Sequence, residues 1–220
     1  MNDDRWERTG AASALAALVA GGAGGALERG WPNGNDPVAV AAFIAEHRSA
    51  ILGQSMLFLL SSAFYLWFLG CLRAYLGKAE GGPQRVSAVA FGAGTAWVAL
   101  SMMAQAFQIG LTMAAPTGVQ PTAMWTMAAT FALANLPCAV MLAAVAVVSF
   151  RHAAFPRWLG GISVAAALAQ LLLWSGAVVT AGPLAPNGWL TYTLYPLFLV
   201  WLVPTSIVMM RRPAAQRKAA

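Results

Sequence analysis

Six long runs of apolar residues make up most of the chain, and each is long enough to cross a bilayer. A spanning helix needs about twenty mostly apolar residues. None of the runs alternates apolar and polar positions as a barrel strand does, so we expect helices throughout. The pattern predicts an all-α polytopic membrane bundle with six transmembrane helices in a single domain over 1–220, the spans covering about 10–27, 49–76, 86–115, 124–150, 158–182 and 189–210.

The segment between the first two runs contains a helix start. Asn35 and Asp36 can cap a first helical turn, and Pro37 suits its first position. This predicts a short extracytoplasmic helix over about 36–48 that leads into the second span. In the first span, Gly21 and Gly25 form a small-residue pair that lets another helix approach closely, which indicates an inner, packed helix.

The Lys and Arg residues alternate between rich and poor loops, which sets the orientation. If both termini lie on one side, only Arg29 and Arg48 of the 13 basic residues lie on the other. Basic residues collect in the cytoplasm, so we predict N-in/C-in topology in the plasma membrane. The basic residues on the side of the termini are Arg5, Arg8, Arg73, Lys78, Arg85, Arg151, Arg157, Arg211, Arg212, Arg217 and Lys218.

Composition supports lipid as the main solvent. The chain is 60% hydrophobic and only 9% charged, too little charge for a soluble domain surface. Its net charge of +6 lies in short clusters between apolar runs, with no basic stripe, so no nucleic-acid partner is expected. Cys71 and Cys138 lack metal-ligand spacing and are interpreted as apolar fillers, so no metal or other cofactor is predicted.

No Asp, Glu, Lys or Arg lies in the middle of a run, which disfavours an ion-coupled transporter. Uncharged polar and aromatic residues instead recur at helical spacing, so that each set shares one helix face. With the orientation above, these sets fall mainly in the outer half of the bundle. They predict an outward-opening cavity for a hydrophobic or amphiphilic molecule, lined by Gln54, Trp97, Gln105, Gln108, Asn135, Gln170, Trp174, Tyr192 and Tyr195.

A structural role for these amides is the alternative, because interhelical hydrogen bonds of this kind are common in membrane bundles. Pro137 also has two interpretations, since the helix kink that a proline causes can border a cavity or only shape the packing. The sequence leaves both questions open.

Glu46, His47 and Arg48 are the candidate catalytic residues, because acid, imidazole and guanidinium adjoin near the polar stripe only there. Burial would raise the pKa of Glu46 and make it a general acid, with His47 and Arg48 orienting a head group. A solvated interfacial cluster is the alternative.

Two resemblances add to this picture. His47-Arg48 before the second span and Phe155-Pro156-Arg157-Trp158-Leu159-Gly160 at the fifth resemble a broad group of uncharacterised multi-pass membrane proteins, abundant in actinobacteria and classed under a domain of unknown function. That resemblance implies a six-helix fold and no site residues. In size and helical content the chain is also similar to small integral-membrane terpene cyclases, which protonate an isoprenoid with a carboxylic acid; Glu46, Glu28 or Asp36 would have to serve here.

Three functions follow as hypotheses. The first is a membrane-embedded enzyme on a lipid- or isoprenoid-like substrate that uses Glu46 as the acid. The second is a non-catalytic membrane module or a subunit of a larger assembly, with a protein partner or as a homo-oligomer. The third is a facilitator or exporter of hydrophobic solutes.

Overall fold

The computed structural model describes residues 3–27, 30–32, 36–185 and 188–211, with side chains from residue 8 onward. Within these ranges the chain is helical and has no strand. The helices are α1 (Asp3–Ala26), α2 (Pro37–Glu80), α3 (Arg85–Ala114), α4 (Pro121–His152), α5 (Arg157–Ser175), α6 (Trp189–Leu194) and α7 (Pro196–Arg211), with short 3-10 turns at Ala115–Thr117 and Gly176–Val178.

Six stretches of the described chain are long and apolar enough to cross a membrane, with α6 and α7 together forming the sixth. Large apolar side chains also cover the outside of the bundle; Leu168 is 61% exposed and Val200 is 52% exposed. In water such a surface would be costly, whereas lipid tails solvate it. The protein is therefore an integral membrane protein with the all-α polytopic architecture that the sequence predicts.

Helix α2 is longer than a bilayer requires. Its 44 residues span about 66 Å at the usual rise, against about 30 Å of hydrocarbon. The Asp36 carboxylate caps it by accepting from the backbone N–H groups of Val38 and Ala39, at 3.1 and 3.0 Å. The helix expected over 36–48 is therefore not a separate element but the first three turns of α2, because no Gly or Pro interrupts residues 38–52.

These first turns are held by an apolar cluster of their own. Val40 and Ile44 are almost fully buried, and they pack against the end of α3, the turn after it and the start of α4. The cluster consists of Val40, Ile44, Ile51, Leu111, Val119, Met124 and Met127. It covers the bundle at the end where α3 and α4 are joined.

The helices form a closed ring. Each of α1 to α5 packs on the next helix along the chain, and α7 contacts both α1 and α5. Consecutive spans run in opposite directions because short connections join them, four residues between α2 and α3 and four between α4 and α5. The ring therefore has two distinct ends.

One end carries most of the described charge, and we call it the Arg-rich end. The basic residues near the helix termini there are Arg8, Arg73, Lys78, Arg85, Arg151, Arg157 and Arg211. Arg48 lies towards the opposite, Arg-poor end. Arg29, Arg212, Arg217 and Lys218 lie outside the described residues, as does the side chain of Arg5.

The half of the bundle next to the Arg-rich end is solid. Its buried core contains Phe68, Leu72, Met141, Leu142, Val145, Leu159, Trp201 and Met209. Packing is close around Gly94, where an added Cβ would lie 2.6 Å from Leu69 Cδ2 and 2.9 Å from Met141 Sδ. Glycine at this position lets α2, α3 and α4 meet, in the way that small residues bring membrane helices together.

Candidate functional site: a neutral cavity in the Arg-poor half

The half of the bundle next to the Arg-poor end contains a cavity of about 800 Å³. All seven helices of the described residues, together with the 180–185 segment, contribute to its wall. This volume lies within the range of about 300–1,000 Å³ that is usual for small-molecule sites. The bundle is therefore solid in one half and hollow in the other.

Edge-on and tilted aromatic rings form the floor of the cavity, where the two halves meet. Tyr65 and Trp97 line it, with their ring centroids 5.0 Å apart. Phe198 contacts both rings from α7, at 6.0 and 4.9 Å, and Trp201 lies 5.5 Å beyond it. These rings separate the cavity from the solid core and offer a broad apolar surface to a bound molecule.

Three polar side chains connect α2 to α3, and two of them, Gln54 and Gln108, line the wall. Gln108 Nε2 donates to Ser55 Oγ at 2.9 Å and to Gln54 Oε1 at 3.4 Å. All three residues are buried. The Gln54 and Gln108 amides therefore hold two helices together, as the structural interpretation of the polar stripe predicts.

Gln105 is in a different situation from Gln108, although it lies only one helical turn away. It lines the cavity and is 4% exposed. Among the described residues its Oε1 atom is buried and has no hydrogen-bond partner. A buried polar group left in this state costs about 1–3 kcal/mol relative to a satisfied one. The Oε1 atom can therefore accept from a ligand without giving up a hydrogen bond of its own.

The structure brings seven of the nine predicted lining residues together around the cavity. They are Gln54, Trp97, Gln105, Gln108, Asn135, Tyr192 and Tyr195. That any of them binds a ligand stays a prediction.

The two predicted residues on α5 do not line the cavity. Gln170 is buried elsewhere and Trp174 is 39% exposed. Leu173 is the α5 residue that reaches the wall, and Gly176 follows from the turn after the helix. The spacing of Gln170 and Trp174 identifies one side of α5, but Leu173, on a different side of that helix, faces the cavity.

The candidate catalytic residues are also outside the cavity wall. Glu46 and Arg48 are exposed, and Arg48 Nη2 donates to Met113 Sδ at 3.1 Å. The His47 ring stacks on Phe43 at 4.6 Å, and its Nδ1 atom lies 3.1 Å from the Phe43 carbonyl oxygen. Asp36 caps α2, and Glu28 lies outside the described residues. Whether Glu46 takes part in a reaction stays a prediction.

Glycines of α1 also line the cavity, although the sequence pattern did not predict them as lining residues. Gly22 and Gly25 line the cavity, and a Cβ atom added to either would meet nothing within 4 Å. Of the small-residue pair, Gly21 packs closely as expected, since its added Cβ would lie 3.1 Å from Ser61 Oγ, whereas the close approach expected at Gly25 is absent. Ser61 Oγ in turn donates to the Ala17 carbonyl at 2.8 Å and ties α1 to α2. The double-glycine runs of α1 are the only sequence signal for this space.

The cavity wall is electrically neutral over its described part. No Asp, Glu, His, Lys or Arg is among the described lining residues. Nor does the described part of the chain group three His, Cys, Asp or Glu side chains as a metal ion would require. The wall offers amide, hydroxyl and indole groups, which bind and orient neutral molecules but are poor proton donors at neutral pH.

Comparisons with known proteins supply no further constraint on this site. No protein-family model, no curated protein and no solved structure matches the chain. The resemblance to the actinobacterial group and the similarity to terpene cyclases therefore stay predictions.

Proposed function

We propose that this membrane protein binds a neutral, hydrophobic or amphiphilic small molecule in the cavity of its Arg-poor half. The observation that carries the proposal is the wall itself. It encloses about 800 Å³, all seven helices contribute to it, and its described residues are apolar, aromatic or uncharged polar.

Electrostatics supports a neutral ligand. In a low-dielectric site an ion needs a counter-charge or several hydrogen bonds to offset its lost hydration. The described wall has no cationic or anionic side chain to provide one. A lipid-like or isoprenoid-like molecule with an uncharged head group meets this condition, whereas a phosphate or a carboxylate does not.

Access follows from the position of the cavity. The start of α4 and the 180–185 segment line it, and the positive-inside pattern assigns both to the extracytoplasmic side. We therefore propose that the ligand enters from the outer leaflet or from the outer aqueous phase.

Binding accounts for the geometry better than catalysis by Glu46 does. A general acid must come within hydrogen-bond reach of the group that it protonates. Glu46 is exposed, is absent from the wall and precedes Gln54 by eight residues, about 12 Å along α2. The protein is proposed to hold its ligand without a Glu46-dependent reaction.

Filling the cavity tests the proposal. In a Gly22→Phe/Gly25→Phe variant, two rings would enter space that is open in the wild type. Wild-type protein in lipid nanodiscs, equilibrated with 1-tetradecanol and released into a native mass spectrometer, is expected to retain the alcohol. The filled variant is expected to retain at least fivefold less.

A matched control separates filling from a general effect of added rings. Gly70→Phe/Gly92→Phe places the same side chains on exposed helical positions that have open space and do not line the cavity. This control is expected to behave as the wild type. Equal retention by all three proteins, or none by the wild type, would contradict ligand binding in the cavity.

A further inference from the structure

We infer that the ligand carries a hydrogen-bond donor, a hydroxyl or amide N–H group, which it donates to the Gln105 side-chain oxygen. This inference rests on the proposed function and narrows the ligand to a class, neutral amphiphiles with a protic head group. The juxtaposition that carries it is a large neutral cavity with one unpartnered, buried amide oxygen in its wall.

Most other polar groups near Gln105 already form hydrogen bonds within the protein. Gln108 donates to both Ser55 and Gln54 across the helix interface. The Ser101 hydroxyl, one turn before Gln105, donates to the Trp97 carbonyl at 2.9 Å. Two lining serines of α2 do the same, Ser61 to the Ala17 carbonyl and Ser62 to the Phe58 carbonyl.

Gln105 Oε1 stands apart from these groups. Only two buried side-chain nitrogen or oxygen atoms of the described residues lack a partner, and the other is Trp201 Nε1, which belongs to the solid core. Gln105 is 96% buried, so water outside the bundle does not reach it freely. The terminal torsion of a glutamine is broad, which allows the amide to turn its oxygen towards a donor in the cavity.

The chemistry of an amide oxygen then sets the head group. The amide oxygen accepts and cannot donate, so it forms no hydrogen bond with an ether or an ester, which lack a donor. An alcohol or an amide donates to it and can also accept from the Gln105 NH₂ group. A carboxylate lacks the proton, and no cation of the described wall compensates its charge. The aromatic floor at Tyr65 and Trp97 receives the apolar part of the same molecule.

Competition between matched probes tests the inference. Wild-type protein in lipid nanodiscs is offered 1-tetradecanol and 1-methoxytetradecane at equal concentration, and native mass spectrometry counts each adduct. One neutral hydrogen bond corresponds to about a fivefold preference. We expect the alcohol to be retained about fivefold more than its methyl ether and more than tetradecanoate.

Variants locate that preference. Gln105→Leu is expected to abolish the alcohol-to-ether preference while ether binding stays, which also shows that the variant is folded. Ser101→Ala is the matched control, because its hydroxyl is committed to the Trp97 carbonyl, and it should keep the wild-type preference.

The outcomes separate the inference from the proposed function. If wild type binds alcohol and ether equally, or if Gln105→Leu keeps the preference, the donor inference is wrong while the cavity remains a binding site. If wild type retains neither probe, both the inference and the proposed function are wrong.

Discussion

The contrast between Gln108 and Gln105 yields a prediction about stability. Gln108 is expected to stabilise the bundle, whereas Gln105 is expected to matter for ligand binding and not for stability. Replacing Gln108 with Leu keeps the approximate size of the side chain but removes its donations to Ser55 and Gln54. The first bond, at 2.9 Å, has good length, whereas the second, at 3.4 Å, is weak. Hydrogen bonds between membrane helices average about 0.6 kcal/mol and reach about 1.7 kcal/mol. Gln108→Leu is therefore expected to lower the free energy of unfolding by about 1–2 kcal/mol.

A double-mutant cycle isolates the stronger bond. Ser55→Ala, Gln108→Leu and the double variant are unfolded reversibly in mixed micelles by increasing the SDS fraction, with helicity followed by circular dichroism. The coupling energy between Ser55 and Gln108 is expected to be about 0.6–1.7 kcal/mol. Gln105→Leu serves as the internal comparison, because it replaces an unpartnered buried oxygen. It should leave stability unchanged or raise it by up to about 1 kcal/mol.

The refuting results are specific. A coupling energy below about 0.3 kcal/mol is within ordinary additivity and would mean that the Gln108–Ser55 contact does not stabilise the bundle. If Gln105→Leu destabilised the protein as much as Gln108→Leu does, the two amides would have the same role. The assignment of Gln105 to the ligand would then lose its basis.

Two further predictions concern packing and protonation. Gly94→Ala is expected to cost about 1–3 kcal/mol of unfolding free energy, because its Cβ would overlap buried side chains of α2 and α4, whereas Gly92→Ala, in open space on the same helix, should be neutral or gain up to about 1 kcal/mol. Equal effects in the same micelle assay would contradict the packing described at Gly94. Retention of 1-tetradecanol is expected to be flat from about pH 5 to pH 8, since the described wall has no group that titrates in that interval. A sharp pH dependence that Glu46→Gln removes would instead return Glu46 to the binding site.

The spans and the alternation of basic and non-basic loops could be predicted from the sequence, because the bilayer strongly restricts the structures that can cross it. Every backbone polar group must be satisfied within the protein, so a long apolar run has few options besides a helix. The continuity of α2 was less accessible. Asp36-Pro37 marks a helix start, but the pattern does not show that this start and the second span belong to one helix. The buried contacts of Val40 and Ile44 hold those first turns in place.

The candidate site could be predicted only in part from the sequence, for a geometrical reason. Periodicity shows which residues share a helix face, but not where that face points once the helices are packed. The faces of α2 and α3 were assigned to the interior, and Gln54 and Gln105 do line the cavity. The polar side of α5 turns elsewhere, so Gln170 does not reach it. The space beside Gly22 and Gly25 exists because glycine has no side chain, and a pattern of large residues does not indicate such space.

The closure of the ring by α7 has a consequence for how the protein is made. Spans two to five each pack on the preceding span and can assemble in the order of synthesis, because nearby segments meet at small entropic cost. Helix α7 must find α1, whose sequence was translated much earlier, and its segment with α6 adds Tyr192, Tyr195 and Leu199 to the wall. During biogenesis the hollow half is therefore a groove open to lipid until the sixth span arrives. Under the proposed function, a hydrophobic ligand in the bilayer would enter most easily before that step.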